Sequence, residues 1–239
     1  MRPIGFSTGA IAKGDFRRAV QLLRDFHLDS VELSALRISE LKPLIRALPE
    51  LDLLSFKFVS IHAPSQFDRK SEQMVVEELV NHSQAFPVVV HPDVVFTPHL
   101  WKQLGGRLLV ENMDKRKPIG RTVSELVCLF QELPGARFCF DVGHARQVDP
   151  SMTEAVLILR ELGHRLAEVH ISEVNTSSRH DPISTSAARA FQSIANYIPE
   201  HIPIIIESLI DEGQSDIRTE LDSAREALRT CSLAMALTF

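Results

Sequence analysis

Cysteine is scarce in this sequence: three in 239 residues, Cys128, Cys139 and Cys231, far apart and with no C-x-x-C pair. That usage argues against a disulfide framework, and two of the three fall in apolar segments where reduced thiols pack as small hydrophobes, which points to a reducing compartment. Long apolar runs are missing too. None approaches the roughly 20 residues that span a bilayer, and Met1 to Phe6 lacks the apolar core of a secretory signal, so the expectation is a soluble, cytoplasmic protein with no membrane partner. Positive charge is not in excess: 26 Lys and Arg stand against 31 Asp and Glu, a net charge of −5. An extended nucleic acid is therefore not the default partner, since no basic surface is available to track its phosphates. Linkers rich in Gly and Ser are absent as well. With 44 % hydrophobic residues spread evenly, the chain reads as one domain, 1–239, with a substantial core.

Short apolar runs alternate with amphipathic segments at a spacing of about 30 residues, close to one βα unit. The runs are Ile4 to Phe6, Ser30 to Leu33, Phe58 to Ile61, Pro87 to Val90, Leu108 to Val110, Phe138 to Phe140, Leu166 to Val169 and Pro203 to Ile206. Helical patterns lie near 15–26, 39–48, 72–86, 187–197 and 216–229. Thr97-Pro98 opens another helix with a capping side chain before proline. Thr122-Val123-Ser124-Glu125 and Ser151-Met152-Thr153-Glu154 have the spacing of capping boxes. Eight such units without a break predict an α/β chain closed into a single (β/α)8 TIM barrel. The competing open sheet usually carries a Gly-rich phosphate loop after its first strand, and Ser7-Thr8-Gly9 is only a faint echo of one. The apolar tail from Cys231 to Phe239 is expected to pack beneath the barrel or against a second subunit, a possible homo-oligomer.

The strands share an unusual ending. Glu32, His62, His91, Glu111, Asp141, His170 and Glu207 each stand where an apolar run stops, with His144 three residues beyond Asp141. In a barrel these positions converge on one mouth, where active sites are built. A ring of carboxylates without compensating Lys or Arg repels itself, and a divalent cation resolves the conflict by taking both oxygen and imidazole ligands. Mixed ligation suits zinc, manganese or iron better than calcium, with magnesium possible at an oxygen-rich position.

The motifs SIHAP around His62, VVVHPD around His91, LLVENMD around Glu111, FCFDVGHA around Asp141 and His144, EVHISE around His170 and IIIESL around Glu207 resemble the xylose isomerase-like TIM barrels. That superfamily includes sugar isomerases and epimerases and the endonuclease IV type of abasic-site nuclease. The resemblance implies one metal site at Glu111, Asp141, His170 and Glu207. It implies a second at His62 and His91 with Glu111 as the bridge, and a third at His144 and His180 plus an aspartate whose place is taken by Ser178. Between one and three divalent ions are thus expected. Asp181 is a conceivable substitute for the missing aspartate.

Two activities follow from one cage. As a sugar or sugar-phosphate isomerase or epimerase, the favoured expectation, Glu111 and Glu207 move a proton beside a metal-held carbonyl while His144 orients a hydroxyl. As a phosphoester hydrolase, two metals clamp a phosphoester, in abasic DNA or a smaller molecule. The histidine pair favours the hydrolase; Ser178, the acidic balance and the short loops favour a small substrate. A catalytically inactive metal-binding barrel is the third expectation. Lys115 in the basic run Asp114 to Lys117 and Arg146 are expected to contact substrate; Asn112 is expected to hydrogen-bond across the mouth, to substrate or in support of a ligand, and Glu32 to contact substrate or to pair with Arg37 or another strand-end group.

Overall fold

The computed structural model describes residues 2–12, 14–83, 85–210 and 214–230, the side chains of 214 and 215 excepted. The expected packing of the tail from Cys231 to Phe239 lies outside the described residues. Each apolar run becomes a parallel strand, because a run flanked by turns and followed by an amphipathic helix can bury both faces only in a covered sheet. The strands are β1 (Ile4–Ser7), β2 (Ser30–Ser34), β3 (Phe58–His62), β4 (Val88–Val90), β5 (Leu108–Glu111), β6 (Arg137–Asp141) and β7 (Leu166–Ile171). A short antiparallel hairpin, β8 (Glu173–Val174) and β9 (His180–Asp181), precedes the last barrel strand, β10 (Ile204–Ile206). The barrel closes in chain order, with β10 seated between β7 and β1. It is therefore a single (β/α)8 barrel, as the alternation predicts.

Between strands run α1 (Thr8–Ala12), α2 (Phe16–Asp25), α3 (Ile38–Ala47), α4 (Arg69–His82), α5 (Pro98–Trp101), α6 (Val123–Glu132), α7 (Val142–Val148), α8 (Thr153–Leu162), α9 (Thr185–Gln192) and α10 (Gln214–Ala227). No helix among the described residues is long and apolar enough to cross a membrane. Three helix starts differ from expectation. Thr97 makes no side-chain cap; its N–H donates instead to Glu72 Oε1 on α4, 2.8 Å away, which also accepts from the buried Trp101 indole at 2.9 Å. Half of the box at α6 forms, with Thr122 Oγ1 accepting from Glu125 N, while the Glu125 carboxylate turns to Arg121. At α8 the box does not form. Asp149 accepts from Glu154 N at 2.9 Å, and Met152 takes a left-handed turn at φ 62°. Glu154 is drawn off to the Val123 N–H at the neighbouring helix.

The outward faces of the strands and the inner faces of the helices form the main core, including Phe6, Val31, Ile61, Val90, Val110, Phe140, Ile171 and Ile206. Inside the barrel the apolar floor is small: Val89, Leu109, Cys139 and Ala167. Above that floor the interior is polar, with Ser7, Ser30, Ser34, Ser60, Glu32, Glu168 and His170 all buried. Glycine makes the wall tight at one point, since a Cβ on Gly5 would meet Ser30 O at 1.6 Å. Small side chains here bring β1 against β2 and draw the polar layers together.

Candidate metal centre

Strand register sets the donors. Asp141 pairs with His170 across β6 and β7, Glu111 with Cys139 across β5 and β6, and Ser34 with His62 across β2 and β3. Side chains alternate along a strand, so these strand-end residues face the interior at similar heights. Beyond β6, Asp141 caps α7 by accepting from His144 N, and a Cβ on Gly143 would lie 2.4 Å from Ser172 O. Glycine there lets α7 press against the end of β7, which carries His144 into the mouth. Asn112 fixes the same corner. Its side-chain amide donates to Asp141 O and accepts from Asp141 N, both at 2.8 Å, extending the pairing of β5 and β6 by one rung.

Glu111 is the centre of the arrangement. Its Oε2 lies 3.3 Å from Nε2 of both His62 and His91, while Oε1 lies 3.3 Å from His144 Nδ1 and 3.5 Å from His170 Nδ1. His62 Nδ1 is 2.8 Å from Ala63 O, and His144 Nδ1 is 2.9 Å from Asn112 O. Each of these nitrogens donates to its carbonyl, so that in the neutral ring Nε2 carries the free lone pair, the usual way a protein fixes the tautomer of a metal-binding histidine. Glu207 Oε1 lies 3.5 Å from His170 Nδ1 and Oε2 lies 3.4 Å from His180 Nδ1, which is also 2.8 Å from Ser172 Oγ.

The titration of these groups follows from burial and crowding. Burial pushes the Glu111 carboxyl up, but the imidazoles of His170 and His91 outweigh it and hold it well below the usual range. Glu207 goes the other way, to about 8, because burial and the neighbouring Glu111 and Glu32 charges exceed what His170 gives back. His62 and His144 resist burial through facing carboxylates and rise to about 9 and about 10. His180 falls to about 3, from burial and then the His144 charge, and so remains a neutral imidazole. Such separation of neighbouring pKa values marks a functional site.

Glu111 Oε1, Asp141 Oδ2 and His170 Nδ1 are buried without hydrogen-bond partners. Unsatisfied buried atoms of that kind are costly unless something absent from the protein chain engages them. Among the described residues, donor atoms within 4.8 Å of one another form the groups His62, His91 and Glu111; Glu111, Asp141, His170 and Glu207; Asp141, His144 and His180; and Glu32, Glu168 and His170. The donors are imidazole and carboxylate, which suit zinc, manganese or iron, so the residues fit divalent cations. The first three groups bring together the eight residues the sequence singles out as ligands.

Of the residues expected near the substrate, Lys115 and Arg146 sit outside the mouth, while Asn112 and Glu32 take the supporting alternative, beside Asp141 and His170. The mouth holds a cavity of about 240 Å³ lined by His62, His91, His144, His180, Glu207, Ser7, Ser65 and an apolar wall of Gly9, Ala10, Leu36 and Leu209. Glu32 is fully buried beneath it against His170, and Asn112 commits its amide to Asp141. Arg146 is drawn away by Glu173 at 2.9 Å, and Lys115 is exposed outside the cavity. Asp181 does not replace the missing aspartate, since it accepts from Asn175 Nδ2 and faces Arg179. Ser178 instead donates to Asp114 Oδ1 at 2.7 Å. Two participants escape the reading by strand ends: Glu168, two residues before His170 on the same strand, and Ser172, two after it. Larger hollows of about 450 and 670 Å³ lie elsewhere, and neither gathers a comparable donor set among the described residues.

No protein-family profile matches the chain, and no curated protein matches it. Solved structures do. Endonuclease IV from Thermus thermophilus is 21% identical with a TM-score of 0.58, over 95% of this chain and 99% of that one. A 3-keto-D-glucoside 4-epimerase from E. coli is 12% identical with a TM-score of 0.58, over 95% and 99%. A xylose isomerase domain containing protein from Salmonella typhimurium is 13% identical with a TM-score of 0.62, over 95% and 97%. Matched along almost their whole length, these structures share the (β/α)8 TIM-barrel fold with this chain.

Proposed function

We propose that this protein is a divalent-metal-dependent enzyme and, more narrowly, a multinuclear hydrolase of small phosphoesters. The observation that carries this reading is the division of Glu111: one oxygen faces the pair His62 and His91, the other faces His170. A carboxylate placed in this way would serve two cations at once, and it would not then be free to shuttle a proton to a carbon. Cations held by these residues would supply Lewis acidity toward phosphoryl oxygens and water. The chain's own residues do the rest. The Glu207 carboxyl, near neutrality at the cavity edge and 3.4 Å from His180 Nδ1, can accept and return a proton at the attacking and leaving oxygens. Leu36 and Leu209 form an apolar wall that excludes water and accepts an uncharged part of the substrate. The small cavity and the absence of Lys and Arg from its described lining favour a low-molecular-weight substrate over duplex DNA.

The isomerase or epimerase reading retains one observation in its favour. Glu207 is a carboxyl near neutrality at the cavity edge, as a proton-transfer group requires. Metal content and turnover separate the two. Two or more metals per chain with chelator-sensitive cleavage of bis(p-nitrophenyl) phosphate or p-nitrophenyl phosphate are expected. A single metal with exchange of a ketose proton into solvent, and no phosphoester cleavage, would replace this reading with the isomerase.

A further inference from the structure

We propose that Glu32 and Glu168 are positioning residues for His170, holding its Nε2–H from inside the barrel so that Nδ1 is presented to the mouth as a ligand. This rests on the metal-centre reading and adds two residues that do not themselves reach the cavity. His170 has no exposed surface, and its two nitrogens face opposite ways. Nδ1 is 3.5 Å from Glu111 Oε1 and 3.5 Å from Glu207 Oε1. Nε2 is 3.1 Å from Glu32 Oε2 and 3.4 Å from Glu168 Oε1, ion-pair contacts rather than aligned hydrogen bonds. A neutral imidazole has one proton to place, and the nitrogen that keeps it cannot bind a metal. Two acceptors below the ring settle the proton on Nε2 and the lone pair on Nδ1.

The chain is built to bring Glu168 there. Phe138 pairs with Leu166 but Cys139 pairs with Glu168, so β7 carries one extra residue, Ala167. Ala167 joins the apolar floor and Glu168 also faces the interior, which ordinary alternation forbids for consecutive residues. Bulges of this kind re-aim side chains beside functional sites. Ser60 on β3 then anchors Glu168 through a 2.8 Å hydrogen bond, and Ser34 donates to Glu32 at 3.5 Å. Filling this layer for stability alone would take apolar side chains like those of the floor below, because two fully buried carboxylates are costly.

The test uses the full chain and Co²⁺ as probe, with ¹⁵N NMR of His170 in the zinc-loaded protein. Glu32→Leu and Glu168→Leu should weaken Co²⁺ binding by about 10- to 100-fold at unchanged stoichiometry. Glu32→Gln and Glu168→Gln still offer an oxygen to Nε2–H and should recover most of the affinity. In the wild-type spectrum Nε2 should carry the proton, a signature that simple packing would not set. Leu variants that bind like wild type, or a wild-type His170 protonated on Nδ1, would overturn the proposal. So would loss of a whole metal equivalent in the Gln variants, which would make the pair ligands themselves. If a Leu variant fails to fold, the Gln pair and the wild-type spectrum decide. Wild type that binds no Co²⁺ at all would instead sink the metal-centre reading.

Discussion

In the proposed hydrolase Glu111 has two tasks, and the histidines around it tell them apart. His91 touches only its Oε2 side, while Glu207 approaches the other side through His170. In a hydrolase that needs both sides, His91→Ala should lower kcat/KM for the phosphoester by more than about 100-fold, equivalent to about 2.7 kcal/mol of transition-state stabilisation. In an isomerase with one metal the loss should be slight, so steady-state kinetics on this variant also ranks the two activities. Glu207→Gln should abolish turnover in either. Lys115→Ala and Arg146→Ala should leave KM within about threefold, since an exposed ammonium and a guanidinium already paired with Glu173 contribute little to the mouth. A large rise in KM for either variant would return these residues to the substrate. Six of the candidate ligands are legible in the sequence because each is a polar residue where an apolar run stops, whereas His144 lies three residues past Asp141 and His180, in a polar loop, comes from the resemblance alone. The position of Arg146 is not legible, because its partner Glu173 is near only in three dimensions.

At the scale of elements, alternation announced the barrel while its caps and its bulge stayed hidden. Capping boxes are local patterns, and at α8 a tertiary demand overrides one: Glu154 serves the Val123 N–H, so Asp149 takes over the helix start. Asp149→Ala should therefore cost about 1 kcal/mol of stability, the usual effect of losing an N-terminal cap, whereas Thr97→Ala, which removes no capping hydrogen bond, should cost much less. Urea unfolding of the two variants at constant m-value measures both, and equal losses would contradict the assignment. The extra residue in β7 left no mark in the apolar pattern because Leu166, Ala167, Val169 and Ile171 are apolar whichever face they take. Only Glu168, inside that run, signalled that the strand carries a charge inward.

For the whole molecule, the crowded mouth makes the metal-free chain sensitive to pH in a direction fixed by its pKa shifts. His62 and His144 bind protons more tightly folded than unfolded, at about 9 and about 10 against an ordinary value near 6.5. Their contribution is complete below pH 6.5 and disappears as pH rises through 9 and 10. Glu207 acts in the same sense, since a carboxyl held at about 8 favours the folded state below pH 4.5 and loses that advantage between there and pH 8. His180, held at about 3, opposes them only on the acid side, where the unfolded chain gains a proton below pH 6.5 that the folded chain refuses. After removal of metal with a chelator, thermal unfolding should therefore shift to lower temperature as pH is raised from 7 to 10. A bound cation would replace those protons as the counter-charge, because metal ligation requires neutral imidazole and ionised carboxylate and strengthens with rising pH. Adding zinc or manganese back should raise the melting temperature most at the alkaline end and flatten its pH dependence. If the chelated and reloaded proteins melt alike at pH 9, the carboxylates and imidazoles of the mouth are balancing one another without a cation.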